Sequence, residues 1–214
     1  MTKQERALEA VRILKEHYPD AICSLVYEKP YELMIATRLS AQCTDARVNI
    51  VTKDLFVRYP TLESFADADL AALEAAVRPC GFYKTKAKSI KEAAQRLLTV
   101  YGGILPDTME ELLTLPGIGR KTANLLLGDI YGKPAVVADT HFIRITGRLG
   151  LTGHKEPEKV EADLRPLLPP AESSDFCHRV VLFGRDVCTA RKPKCASCPM
   201  RGFCPGKCDA LPEA

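Results

Sequence analysis

Tryptophan is absent from this 214-residue chain, and aromatic residues make up only 7% of it. That scarcity argues against an aromatic-rich β-sandwich and against a sugar-binding cleft walled by indoles. No stretch approaches the roughly 20 apolar residues that span a bilayer. Thr2 to Asp20 also lacks the apolar run of a signal peptide. The expectation is a cytoplasmic protein with no membrane partner. The net charge is only +3, too little to prove a nucleic-acid partner, so the placement of basic residues matters more than their sum. What the chain does have is an ordinary globular balance, 46% hydrophobic and 27% charged, together with nine cysteines. In a reducing compartment those cysteines are not expected to pair as disulfides.

Helical signals dominate. Thr2 and Glu5 form a capping box ahead of Ala7, Val11, Leu14 and Tyr18, which fall on one helical face. Further helices are predicted from Tyr31 to about Ser40 and through Val48, Val51 and Leu55. Others follow from Asp67 to Val77 and from Lys84 to Val100. Asp107 and Glu110 read as a second capping box opening a short helix, and a longer one runs from Arg120 to Ile130. Only Pro134 to Ala138 has β character, too short and isolated to build a sheet. The fold class is all-α. Composition alone places no domain boundary.

The most informative stretch is Leu115-Pro116-Gly117-Ile118-Gly119-Arg120-Lys121-Thr122-Ala123. A helix, two alternating glycines and a second helix describe a tight helix–hairpin–helix. Gly117 and Gly119 can adopt positive φ and leave their amides uncovered. Those amides lie just ahead of a helix N-terminus, which favours an anion such as a DNA phosphate. The simpler alternative is a glycine turn between packed helices. Lys121 favours the functional reading. It sits in the first helical turn, where the macrodipole disfavours positive charge, next to Arg120. The macrodipole and the Arg120 charge, with any burial, favour a neutral amine able to attack carbon. A solvated lysine binding phosphate is the alternative there.

Asp139 ends the apolar run Val136-Val137-Ala138 and begins a predicted helix, so its simplest role is an N-cap. Its functional reading is a carboxylate that stabilises the oxocarbenium character of glycosidic cleavage. Cys188, Cys195, Cys198 and Cys204 follow the spacing C-x6-C-x2-C-x5-C, which can surround one metal centre. Zinc and an iron–sulfur cluster both accept four cysteines, and Cys208 could compete as a ligand. Cys23, Cys43, Cys80 and Cys177 read as small buried hydrophobes. Arg191, Lys192 and Lys194 lie between the first two candidate ligands, where a pinned basic loop can clamp phosphate. A solvated charge run is the alternative.

Taken together, the glycine hairpin, the Ala138-Asp139-Thr140-His141 segment and the cysteine spacing resemble the endonuclease III family of iron–sulfur helix–hairpin–helix DNA glycosylases. The resemblance runs through nearly the whole chain in the same order. It implies a six-helix barrel over residues 22–133 and an iron–sulfur domain from residues 1–21 and 134–214, with the active site between them. It further implies Lys121 as nucleophile, Asp139 as catalytic carboxylate, and Cys188, Cys195, Cys198 and Cys204 as ligands of a [4Fe–4S] cluster. Ser40-Ala41-Gln42 matches the segment whose Gln fills the gap left by an extruded base. Gly81-Phe82-Tyr83 matches the wedge segment, with Phe82 where the family usually carries Leu. The implied activity is base flipping, excision of oxidised pyrimidines and strand nicking by β-elimination, performed by a monomer on damaged double-stranded DNA in the nucleoid. A relative with a different base choice, or a non-catalytic DNA-binding module, are the competing readings.

Overall fold

The computed structural model describes residues 1–206. Its α-helices are α1 (Lys3–His17), α2 (Pro30–Ser40), α3 (Asp45–Arg58), α4 (Leu62–Ala66), α5 (Leu70–Val77) and α6 (Tyr83–Tyr101). They continue with α7 (Met109–Leu112), α8 (Arg120–Tyr131), α9 (Thr140–Arg148), α10 (Pro157–Leu164) and α11 (Ser173–Asp186). Among the described residues there is no strand, so the chain is all-α as its periodicity predicts. No helix of the described residues is long and apolar enough to cross a membrane.

The chain divides into two compact units. One runs from Cys23 to Tyr131 and holds six helices plus the four-residue α7. Its centre is α6, which buries Ala87, Ile90, Ala93, Ala94 and Leu97 and packs against α4 and α5. Gly102 ends this helix in the left-handed region, φ 59°, a conformation that costs a residue with a Cβ more than it costs glycine. Leu33, Ile35, Ala36 and Leu39 of α2 are fully buried, and α2 packs against α3, α6 and α8. Phe65 anchors one end of this core. It is fully buried, with Tyr59, Phe56 and Tyr31 ring centroids 5.1, 6.3 and 6.4 Å away.

The predicted helix from Asp67 to Val77 is shorter than its pattern suggests. It starts at Leu70 because Asp69 accepts the Ala72 amide as a cap, and α4 precedes it as a separate turn. The capping box before α7 also lies one residue later than predicted. Thr108, not Asp107, accepts the Glu111 amide, and this register turns Leu112 into the core.

The other unit joins Met1–Ile22 to the chain from Gly132 onward. Thr2 and Glu5 close the predicted capping box reciprocally. α1 then lays Ala7, Ala10, Val11 and Leu14 against α11, and Tyr18 meets the Phe183 ring edge-on at 6.5 Å. Phe142 of α9 meets Phe176 of α11 at 6.0 Å and 84°. The guanidinium of Arg179 is 5% exposed and is held by Glu172 at 2.7 Å and Asp175 at 3.0 Å. Glu172 also pairs with Lys15 of α1, which fastens the N-terminal helix to the distant C-terminal part of the chain. The Pro134–Ala138 stretch forms no strand. Ala135–Ala138 are buried, and the amides of Ala135 and Val137 bond to the side chains of Ser173 and Cys177 instead.

Truncating Phe65 removes the ring shared by three aromatic neighbours. Phe65→Ala is expected to destabilise the protein by about 3–5 kcal/mol, read as a lower denaturant midpoint. A midpoint equal to wild type would mean this cluster is not a core.

Candidate functional site: a glycine hairpin, two left-handed loops and a cysteine-lined cavity

The hairpin is built by short-range bonds. Leu115 donates its amide to Leu112 O and Ile118 donates to Leu115 O, at 3.1 Å each, while both side chains are buried. The Ala123 amide donates to Gly119 O at 2.9 Å and opens α8. The two glycines are not equivalent. Gly117 takes φ 80°, and a Cβ there would lie 2.7 Å from Arg38 Nε and 3.0 Å from Ser89 Cβ. Gly119 is not in the left-handed region, and a Cβ there would meet nothing within 4 Å. So Gly117 lets the turn close onto α2 and α6, while Gly119 leaves the mouth of α8 bare. Arg120 and Lys121 occupy the first two positions of α8, both exposed. Lys121 is thus an accessible amine rather than a buried one.

Gln42 and Phe82 share an unusual backbone state. They are the two non-glycine residues with positive φ among the described residues, at 55° and 47°. Such a conformation costs roughly 1–2 kcal/mol per residue. Both side chains are exposed, Phe82 by 67%, so neither is repaid by core packing. Strain at exposed side chains is a signature of a working surface rather than of a core.

Asp139 caps α9. Its Oδ1 accepts the Phe142 amide at 2.7 Å, and the residue is half-buried. The cap uses one carboxylate oxygen and fixes the orientation of the other. His141, two residues on, is packed rather than poised. Burial pushes its pKa down, the Asp139 charge opposes this, and Arg144 and Arg185 add to the depression. A side chain on Gly184 would lie 2.6 Å from His141 Nδ1.

Cys188, Cys195, Cys198 and Cys204 line one cavity of about 240 Å³, whose remaining wall includes Ile145, Leu149, Phe183 and Met200. Sequence reasoning missed Arg148, which organises this wall. Its guanidinium donates to Cys188 Sγ at 3.2 Å, to Thr189 O at 2.8 Å and to Ala190 O at 3.0 Å. Burial pushes the Cys198 thiol up, against the backbone hydrogen bonds from Met200 and Arg201, and the sulfurs of Cys188 and Cys204 raise it further. Four sulfurs, an apolar wall and N–H donors to sulfur suit a thiolate-ligated cluster. Among the described residues no group of three or more His, Cys, Asp or Glu side chains is already drawn together to hold a metal ion.

Cys23, Cys43, Cys80, Cys177, Cys188, Cys198 and Cys204 are not in disulfides, but Cys195 is disulfide-bonded, contrary to the expectation of no disulfide pairing. Ligation and a disulfide are alternative uses of the same sulfur, so the cluster-holding form needs Cys195 reduced. Cys208 lies outside the described residues.

The basic loop is fixed by those Arg148 contacts and by Thr189 Oγ1 donating to Lys192 O at 2.7 Å. Arg191 and Lys192 are exposed. Lys194 is also exposed but pairs with Asp186 at 3.0 Å, so a phosphate must compete for it.

Residues 35–170 match the HhH-GPD superfamily of base excision DNA repair proteins, and residues 188–204 match the iron–sulfur binding domain of endonuclease III. Fold and hairpin therefore define a base-excision repair protein of the helix–hairpin–helix class. Endonuclease III of Synechocystis sp. is 45% identical over 205 residues, covering 95% of this chain and 94% of its own. That of Bacillus subtilis is 42% identical over 188 residues, covering 87% and 86%. A solved structure of a trapped endonuclease III–DNA covalent intermediate superposes with a TM-score of 0.90 at 41% identity, over 97% of this chain and 98% of the other. The chain belongs to the endonuclease III family. It is a DNA glycosylase and AP lyase whose cofactor is a [4Fe–4S] cluster.

The glycine asymmetry predicts different variants at two positions two residues apart. Gly117→Ala should lower stability by about 1–3 kcal/mol, seen as a lower melting temperature, because both φ and Arg38 oppose it. Gly119→Ala should change stability by less than about 0.5 kcal/mol yet weaken duplex binding in a fluorescence titration. Equal melting losses would show that the hairpin is not seated as described.

Proposed function

We propose that this enzyme excises oxidised, ring-saturated pyrimidines from duplex DNA with Lys121 as nucleophile and Asp139 as the assisting carboxylate. The observation that carries this reading is the hairpin itself. Gly117 at φ 80° turns the chain so that an exposed lysine stands at the second position of α8, beside the bare Gly119. Phosphate contacts to the hairpin amides, with Arg120, Arg191, Lys192 and Lys194, hold the backbone. Gln42 and Phe82 enter the duplex where the base leaves. A saturated pyrimidine stacks poorly, so its extrusion is less costly than that of an intact base. We further propose that it acts as a monomer at the nucleoid.

The chemistry follows from what an amine and a carboxylate can do at a deoxyribose. An ammonium has no lone pair, so the attacking form of Lys121 is the neutral amine. Its Nζ bonds to C1′ while the glycosidic bond breaks and the base leaves with that electron pair and takes up a proton. Asp139, kept in place by the Phe142 amide, stabilises the positive charge that builds on the sugar. Loss of the amine proton lets the nitrogen lone pair form the C1′=N bond of an imine as the C1′–O4′ bond breaks, and O4′ takes up a proton with that electron pair. Removal of a C2′ proton then expels the 3′ phosphate with the C3′–O electrons, nicking the strand. The related endonuclease III–DNA covalent intermediate supports this route. The cluster would be held by Cys188, Cys195, Cys198 and Cys204 and, when bound, ties those segments together around the basic loop. We further propose that residues 22–133 form the barrel domain and that 1–21 and 134–214 form the iron–sulfur domain, a division supported by the two compact units Cys23–Tyr131 and Met1–Ile22 with Gly132 onward.

Two substitutions test the assignment. Lys121→Ala should bind a thymine-glycol duplex but neither form an imine nor nick it. Asp139→Asn keeps an N-cap residue and so should fold normally while releasing base about 10²–10⁴-fold more slowly. Base release at wild-type rate by Asp139→Asn would leave that residue a cap only, and nicking by Lys121→Ala would remove it as the nucleophile.

A further inference from the structure

Lys86 is 1% exposed, in the first turns of α6 and four residues beyond Phe82. A buried lysine needs a counter-charge or a full set of acceptors. No carboxylate pairs with it among the described residues. Instead its Nζ donates to three backbone carbonyls, Leu39 O, Ala41 O and Cys80 O, each at 2.8 Å. Three acceptors use all three donors of an ammonium, whereas a neutral amine has only two. Burial pushes its pKa down, the Cys80 and Cys43 sulfurs oppose that, and the nearby Arg38 adds to it.

The three carbonyls have a common place in the fold. Leu39 and Ala41 lie at the C-terminal end of α2, where carbonyls lack helical partners and the dipole is negative. Cys80 ends the 3-10 turn over residues 78–80. Ala41 immediately precedes Gln42, and Cys80 precedes Gly81 and Phe82. One ammonium therefore joins the bases of the two loops whose tips take positive φ. Lys86's own carbonyl accepts from Ser89 Oγ at 3.0 Å, and Ser89 Oγ accepts from Arg38 Nε at 2.7 Å. Arg38 and Ser89 are the side chains on which Gly117 rests.

We propose that Lys86 is a positioning residue for base extrusion. By sharing one ammonium among Leu39, Ala41 and Cys80 it fixes the spacing of the Gln42 and Phe82 loops so that both enter the duplex together. It touches no substrate. This rests on the reading of Gln42 and Phe82 given above, and it adds the element that makes them act as one device. Uncoupled loops would still fold, but each would sample its strained tip conformation separately and lose the preorganisation that extrusion needs.

The test compares the cluster-loaded enzyme carrying Lys86→Met, the double variant Gln42→Ala/Phe82→Ala, and all three changes together. Single-turnover excision from a thymine-glycol duplex reports the whole reaction, and fluorescence of a 2-aminopurine beside the lesion reports extrusion. Nicking of a single-stranded abasic oligonucleotide needs no extrusion and serves as the internal reference. Lys86→Met should lower duplex excision roughly 10- to 100-fold, suppress the extrusion signal and leave single-strand nicking at wild-type rate. Added to the loop variants it should cost little more, because the residues act in one step. Wild-type duplex excision by Lys86→Met overturns the proposal, as does an equal loss on both substrates or a loss that multiplies with the loop variants. If Lys86→Met does not accumulate with its cluster, Lys86→Arg is used. Its planar fork keeps the charge but does not match three converging carbonyls, so the same selective loss is expected, and unchanged duplex excision is again contrary. If the double variant itself excises normally, the loop reading fails and this proposal with it; if only Lys86→Met does, the loop reading stands alone.

Discussion

A buried lysine among backbone carbonyls is the interaction that ties together the Gln42 and Phe82 loops in the unit Cys23–Tyr131. Lys86 holds the ends of α2 and of the turn before Phe82, and through Ser89 and Arg38 the same run of bonds reaches the seat of Gly117. Hairpin and loops are thus anchored to one short stretch of α6 rather than each to its own support. Exposed residues in left-handed backbone persist only where their surroundings over-determine them. Here the over-determination comes from hydrogen bonds that converge from three segments.

The other unit solves a different problem. Its C-terminal segment has little apolar surface of its own, and its order comes from sulfur, from Arg148 and from Met200, which is fully buried. Arg148 binds one sulfur and two carbonyls of the segment, so the conformation of the basic loop and the surroundings of Cys188 are set by the same guanidinium. That coupling gives the cluster a direct structural consequence: whatever holds the cysteines also shapes the loop bearing Arg191 and Lys192.

Much of this was legible in the sequence because the governing rules are local. Helical periodicity, the Thr2–Glu5 box and the Asp139 cap depend on residues three or four apart, and they appear where expected. The box before α7 was misplaced by one residue because two capping pairs overlap there, and burial of Leu112 chooses between them. Pro134–Ala138 looked strand-like because it is apolar, yet its amides find Ser173 and Cys177 side chains that no local pattern reveals. Gly117 and Gly119 look alike in sequence and differ only because Arg38 and Ser89 lie under one of them. Lys86 was the least visible. In sequence it is one lysine among several at the start of a helix, and its burial rests on carbonyls up to 47 residues away.

For the enzyme as a whole, the account stands on which nitrogen carries the sugar. Borohydride reduction during reaction with a thymine-glycol duplex, followed by proteolysis and tandem mass spectrometry of the cross-linked peptide, locates that bond directly. The deoxyribose remnant is expected on Lys121 Nζ. A remnant on any other amine, with Lys121 recovered unmodified, would contradict it.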